Sequence, residues 1–253
     1  MPPIIANSMK DFTALEYGGK GLQYNPTGKH LFSLVFMHGL GDSAMGWVSG
    51  VQEILAHSPF LRTHMKVCMP TADVMPVRWS GGFPTTAWFD IFSLDSTAWE
   101  DLEGIARSRS RVESIITHEL ESGVPSENIF VGGYSQGGSL AYDVLLHEER
   151  KLGGFVLLSA WITGLSAFYC DFEGYTPKTA NLTAPILHGH GTYDDIVKFS
   201  WGEKSLKHLA QYYEDTTFKS YPVSHSTCRQ EMADVAAFLE AAAHSASPTR
   251  SDL

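Results

Sequence analysis

The chain has 253 residues, 43% hydrophobic and 18% charged, enough apolar material for one packed domain. Its formal net charge of −10 argues against a nucleic-acid surface and against general attraction to anionic membranes. Three scattered cysteines, Cys68, Cys170 and Cys228, form no disulfide framework, so a reducing, cytoplasmic setting is expected.

No basic segment followed by an apolar run opens the chain, and no apolar stretch approaches membrane-spanning length. Pro2 excludes a myristoylation signal, so stable membrane insertion is not expected. Residues 1–28, rich in Gly and Pro, read as an N-terminal arm with little regular structure beyond a short strand near Leu22 to Tyr24. Leu31 to Met37 is the first clear strand. It runs into His38-Gly39-Leu40-Gly41-Asp42, where glycines let the backbone approach a substrate carbonyl and the Leu40 amide can donate to an oxyanion.

Met65 to Pro70 reads as a second strand. Thr71 to Thr86 reads as a long loop carrying Val74, Met75, Val77, Trp79 and Phe83. Long loops in compact domains are often functional, and Met75, Val77, Trp79 and Phe83 are expected to wall an apolar substrate groove. Trp99 to Glu121 reads as an amphipathic helix that buries Leu102, Ile105, Val112, Ile115, Ile116 and Leu120. Its arginines, including Arg109 and Arg111, fall on the expected solvated face.

The most informative stretch follows. Asn128 to Val131 is an apolar run suited to a buried parallel strand, and Ser139 to Leu146 reads as a helix. Between them lies Gly133-Tyr134-Ser135-Gln136-Gly137, the G-x-S-x-G pattern of a sharp strand-to-helix turn that lifts a serine above a sheet. The Gln136 amide, next to that serine, is the expected partner of Leu40 in an oxyanion hole.

Strands at Phe155 to Ser159, Pro185 to Gly189 and Thr216 to Tyr221 alternate with helices at Trp201 to Tyr213 and Thr227 to Ala243. Such alternation predicts an α/β fold with a mostly parallel sheet, helices on both faces and ligands at the carboxyl ends of the strands. A serine hydroxyl needs an oriented base. His225 lies after the last strand, and Asp194 or Asp195 after the strand ending near His188 can orient it. His188 and His190 alternate along a strand, but no further ligand of suitable spacing accompanies them, so no metal is expected.

Taken together, Phe36 to Ser43, Trp88-Phe89-Asp90, Gly132 to Gly138, His190 to Asp194, and His225 to Cys228 with Glu231-Met232 resemble the acyl-protein thioesterases, in the small carboxylesterase/lysophospholipase branch of the α/β-hydrolases. The resemblance covers roughly Leu31 to Leu239. It implies an α/β-hydrolase; with no linker-like stretch in the chain, a single domain over residues 29–244 with no large cap domain is expected, followed by a flexible tail over 245–253. It implies Ser135 as nucleophile, His225 as base and Asp194 as the orienting carboxylate, with no cofactor. It further implies S-acylated proteins or acyl-ester lipids as substrates, with small esters as the alternative. The oligomeric state stays open between a monomer and a weak homodimer. Tyr134, Thr192 and Asp195 depart from the family's usual Phe, acidic residue and Pro.

Overall fold

The computed structural model describes residues 8–93, 100–163 and 180–246. Ten strands and six α-helices occur among them. The strands are β1 (Phe12–Ala14), β2 (Gly21–Tyr24), β3 (Phe32–Met37), β4 (Met65–Pro70), β5 (Val74–Val77), β6 (Phe83–Thr86), β7 (Ile129–Tyr134), β8 (Gly154–Leu158), β9 (Ile186–Gly191) and β10 (Thr216–Tyr221). The helices are α1 (Val48–His57), α2 (Pro59–His64), α3 (Leu102–Glu121), α4 (Gln136–His147), α5 (Phe199–Leu209) and α6 (Arg229–Ala246).

Eight strands form one sheet in the order β1-β2-β4-β3-β7-β8-β9-β10. From β4 to β10 every pairing is parallel, and β1 and β2 close one edge antiparallel. The period-2 alternation of β3 sends Val35 and Met37 into the core beneath α3, α4 and α5. Phe32, Leu34 and Phe36 enter the opposite core beneath α1 and α6. Both faces are therefore covered, as a parallel sheet requires. Helix α4 is apolar on nearly every side because it is buried on nearly every side.

Several expectations change. The arm at 1–28 is not unstructured where it is described. The expected short strand forms as β2, pairing with β4, and β1 pairs with β2 in turn. Phe12 and Tyr24 pack into the core beneath α1 and α6, which gives this segment a reason to order. Strand β1 is too short to announce itself. Arg111 is no solvated side chain: it donates to the carbonyls of Gly18, Lys20 and Thr71, stapling the β1–β2 turn to α3. Arg109 pairs with Asp143 at 2.7 Å. Leu102 stands 57% exposed in the first turn of α3, outside the buried stripe. At the other end, α6 continues through Ala246, so Ser245 is helical, while 247–253 and Cys170 lie outside the described residues.

The long loop at Thr71 to Thr86 is a β-hairpin. Strands β5 and β6 pair antiparallel around Gly81 and Gly82, both at positive φ. Prolines hide this pattern, since Pro76 and Pro84 face each other across the pair. Among the described residues no helix is long and apolar enough to cross a membrane.

Candidate active site

The chain turns from β7 into α4 at Ser135, which sits at φ 52°, ψ −119°. A non-glycine residue in that region is strained by about 1–3 kcal/mol, and surrounding contacts must hold it there. They are visible. The Ser135 N–H donates to the Leu158 carbonyl at 2.8 Å, and its carbonyl accepts from Ser139 N at 2.9 Å. A side chain on Gly137 would collide with the backbone of Met37 and His38, and one on Gly133 with Gly137 itself. These glycines are what let strand, turn and helix close on one another.

His225 and Asp194 arrive on two neighbouring loops. Asp194 follows β9 and His225 follows β10. Beyond the paired strands, Thr192 N donates to Tyr221 O at 2.7 Å and Tyr193 N to Val223 O at 3.0 Å. Gly191 leaves the room this needs, because a side chain there would strike the Val223 and Ser224 carbonyls. His225 Nε2 lies 2.9 Å from Ser135 Oγ, and His225 Nδ1 lies 2.7 Å from Asp194 Oδ2. Asp194 Oδ1 accepts from the amides of Ile196 at 3.0 Å and Val197 at 2.9 Å. Burial opposes ionisation of Asp194, but donation from His190 and His225 outweighs it and holds the carboxyl well below its ordinary range. Asp195 is exposed and turns to solvent.

The loop after β3 is held from three sides. His38 Nδ1–H donates to Gly39 O at 2.7 Å while its Nε2 accepts from Ala72 N at 3.0 Å. The Trp88 indole donates to His38 O at 2.8 Å, and Gly41 N donates to Thr86 O at 2.8 Å. The Gln136 side chain reaches away from the turn to bracket Trp88 and Phe89, accepting from Trp88 N at 3.0 Å and donating to Phe89 O at 2.7 Å. Its backbone amide is the first of α4, and Gln136 and Leu40 both line the cavity beside Ser135. Among the described residues neither amide has a backbone acceptor.

Ser135, His225, Leu40 and Gln136 open on a cavity of about 370 Å³. Of the four apolar residues expected to wall it, only Trp79 does so. Val77 is wholly buried, Met75 packs against the core, and Phe83 is 74% exposed just past the hairpin turn. Ile91, Tyr134, Trp161 and Ile196 supply apolar wall instead.

A family model described as phospholipase/carboxylesterase matches residues 24–243. The chain belongs to the phospholipase/carboxylesterase family. It is a serine hydrolase of that family. It is 35% identical to acyl-protein thioesterase 1 of Mycosarcoma maydis, over 87% of this chain and 96% of that one. Acyl-protein thioesterase 1 of Kluyveromyces lactis is 36% identical over 83% and 90%. The crystal structure of Zea mays acyl-protein thioesterase 2 superposes with a TM-score of 0.75 at 30% identity, covering 87% of this chain and 97% of that one.

In this phospholipase/carboxylesterase-family hydrolase, Tyr134 and His190 make contacts with the Ser135–His225–Asp194 row that the sequence did not foretell. Tyr134 sets its ring between Trp47 and His225, tilted to both, at centroid distances of 5.3 Å and 5.0 Å. His190 stands 3.5 Å from Asp194 Oδ2 as a second partner of the carboxylate. The alternation of His188 and His190 on β9 was its only signal.

Proposed function

We propose that this chain hydrolyses acyl thioesters, fatty-acyl groups on protein cysteines in particular, and carboxylic esters, through an acyl-serine intermediate. The observation that carries this reading is the hydrogen-bonded row Ser135–His225–Asp194 at the mouth of a largely apolar cavity. Ser135 Oγ attacks the acyl carbonyl as its proton passes to His225 Nε2. The Leu40 and Gln136 amides receive the oxyanion, each donor contributing about 3 kcal/mol to the transition state. His225 returns the proton to the departing thiol or alcohol. It then takes a proton from water as that water attacks the acyl-serine, and gives this proton to Ser135 Oγ as the acid leaves. These groups and water account for every proton and bond in the cycle, so no metal or cofactor is called on.

The protein substrate rests on the acyl-protein thioesterases that the chain resembles at 35% and 36% identity. The broader phospholipase/carboxylesterase match favours a second reading, in which lysophospholipids or small esters are the substrates. Free Cys68 and Cys228 fit a reducing, cytoplasmic setting.

The test is kcat/KM on matched thioesters and oxyesters from acetyl to palmitoyl, with Ser135→Ala as control. A rise with chain length on thioesters supports protein deacylation. Activity confined to short oxyesters, with palmitoyl substrates inert, refutes it. Ser135→Ala should lower kcat by about 10⁶-fold; near-normal turnover would remove Ser135 from its role.

A further inference from the structure

Behind Asp194, on the side away from His225, runs a buried row of polar rings that the chemistry above does not use. The Tyr142 hydroxyl on α4 lies 2.5 Å from His188 Nδ1. His188 Nε2 lies 3.0 Å from His190 Nδ1. His190 Nε2 lies 2.8 Å from the Val197 carbonyl and 3.5 Å from Asp194 Oδ2. Tyr142, His188 and His190 are all fully buried.

The protons in this row can be counted. The Val197 carbonyl only accepts, so His190 Nε2 carries hydrogen. If His190 is neutral, its Nδ1 is an acceptor and His188 Nε2 must donate to it. His188 Nδ1 then accepts, and Tyr142 O–H fills it. The opposite orientation would leave the Tyr142 hydrogen with no acceptor among the described residues. Every donor therefore points the same way, toward Asp194 and the Val197 carbonyl. Hydrogen bonds aligned head to tail polarise and strengthen one another.

We propose that Tyr142, His188 and His190 form a one-way hydrogen-bond row that positions the Asp194 carboxylate and its loop from behind. None of the three touches substrate; they are positioning residues, and the proposal rests on the Ser135–His225–Asp194 reading. Val197 supplies both an amide to Asp194 and a carbonyl to His190, so the row and the carboxylate hold the same turn of chain.

The surroundings fit a neutral row. Phe218 of β10 lies against both imidazoles, tilted to His188 and near parallel to His190, and Phe199 of α5 meets His190 edge-on. Gly202 of α5 gives the rings their space, since a side chain there would overlap His190 Nδ1 and come within 2.9 Å of His188 Nε2. Burial, with His190 alongside, pushes His188 well below the ordinary histidine range, and burial pushes Tyr142 well above the tyrosine range. The titratable groups around the far side of Asp194 are His225 and Tyr134, with Glu231 and Asp42 acting on Tyr134. Asp195 is exposed.

Histidine ¹⁵N spectra of the full-length protein read the row directly. His188 and His190 should both be neutral Nε2–H tautomers at pH 7. Finding His188 as the Nδ1–H tautomer, or either ring as a cation, overturns the proposal whatever the activity. Tyr142→Phe then removes only the last donor. It should shift the acid limb of kcat/KM upward by about 0.3–0.5 pH unit, because a less satisfied Asp194 holds the proton on His225 more tightly. A fall in Tm with an unmoved pH profile would make the row merely structural and refute positioning. His188→Gln gives the same comparison if Tyr142→Phe does not fold. Failure of the Ser135 reading is separate: it shows as turnover by Ser135→Ala, while the tautomers still report on the row.

Discussion

Asp194→Asn isolates the orienting role with little change in shape. The two oxygens of Asp194 have different partners. Oδ1 accepts from two backbone amides, Ile196 and Val197, and Oδ2 accepts from His225 Nδ1–H. In the asparagine variant the side-chain oxygen must stay with the two amides, since an NH₂ group cannot accept from them. The NH₂ then faces His225 Nδ1 at the former 2.7 Å contact. Two donors cannot share that contact, so His225 adopts the Nε2–H tautomer and its Nδ1 accepts. Nε2–H now points at Ser135 Oγ, 2.9 Å away, and cannot take its proton. The expected loss in kcat is about 10⁴-fold, equivalent to about 5.5 kcal/mol, with KM within a few-fold of wild type. Steady-state turnover of a chromogenic short-chain ester measures it, and the rate of Ser135 labelling by a fluorophosphonate should fall in step. Asp195→Asn serves as the control, because an exposed carboxylate outside the row should alter kcat less than about twofold. A kcat for Asp194→Asn within tenfold of wild type, or a larger loss in Asp195→Asn, would refute the reasoning.

Other consequences are equally accessible. Burial pushes the Glu231 carboxyl up to about 8, against the pull of the Cys228 amide and with Asp234 adding to the rise. The folded state therefore holds a proton that the unfolded state has lost, and stability falls as pH rises from about 4.5 to 8 by this contribution. Glu231→Gln should flatten that slope in urea titrations, raising stability relative to wild type most at pH 8. Lys66 donates to the buried Glu119 at 2.8 Å, and Lys66→Met should cost about 3–5 kcal/mol by stranding the carboxylate. The double change Lys66→Met, Glu119→Leu should recover most of that loss in chemical denaturation. Trp79→Ala should lower kcat/KM about tenfold for long acyl chains and less than threefold for acetyl esters, if the indole packs on the chain at the cavity wall.

How far the site could be read from the sequence depended on whether its chemistry was local. The turn at Ser135 advertises itself because steric closure demands small residues at Gly133 and Gly137, next to the serine in sequence. The parallel strands were legible because burial on two faces leaves continuous apolar runs such as Phe155 to Leu158. The hairpin of β5 and β6 was not legible, since its prolines and glycines match a loop and its pairing is set by contacts with Asp73, Asp90 and Ile91. Arg111 looked solvated because its acceptors are backbone carbonyls 40 and more residues away, which carry no sequence signature. Gly202 within α5 is a residue that helix propensity disfavours, and the two imidazoles packed against it account for its presence. Asn181, with Leu182-Thr183 after it, matches the N-x-S/T glycosylation pattern and gives the converse case. Its side chain is wholly buried and bonded to Leu152 N, Glu148 O and Arg150 O, so the folded chain offers no acceptor there.

The ladder between β9 and β10 does not stop where the strands do. Its hydrogen bonds continue through Thr192 and Tyr193 onto Tyr221 and Val223, so the segments bearing Asp194 and His225 are zipped along most of their length. For anyone transplanting this site or shuffling it between homologues, the two segments are a single cassette. Exchanging one without the other would unzip the ladder and separate acid from base, even with both residues retained.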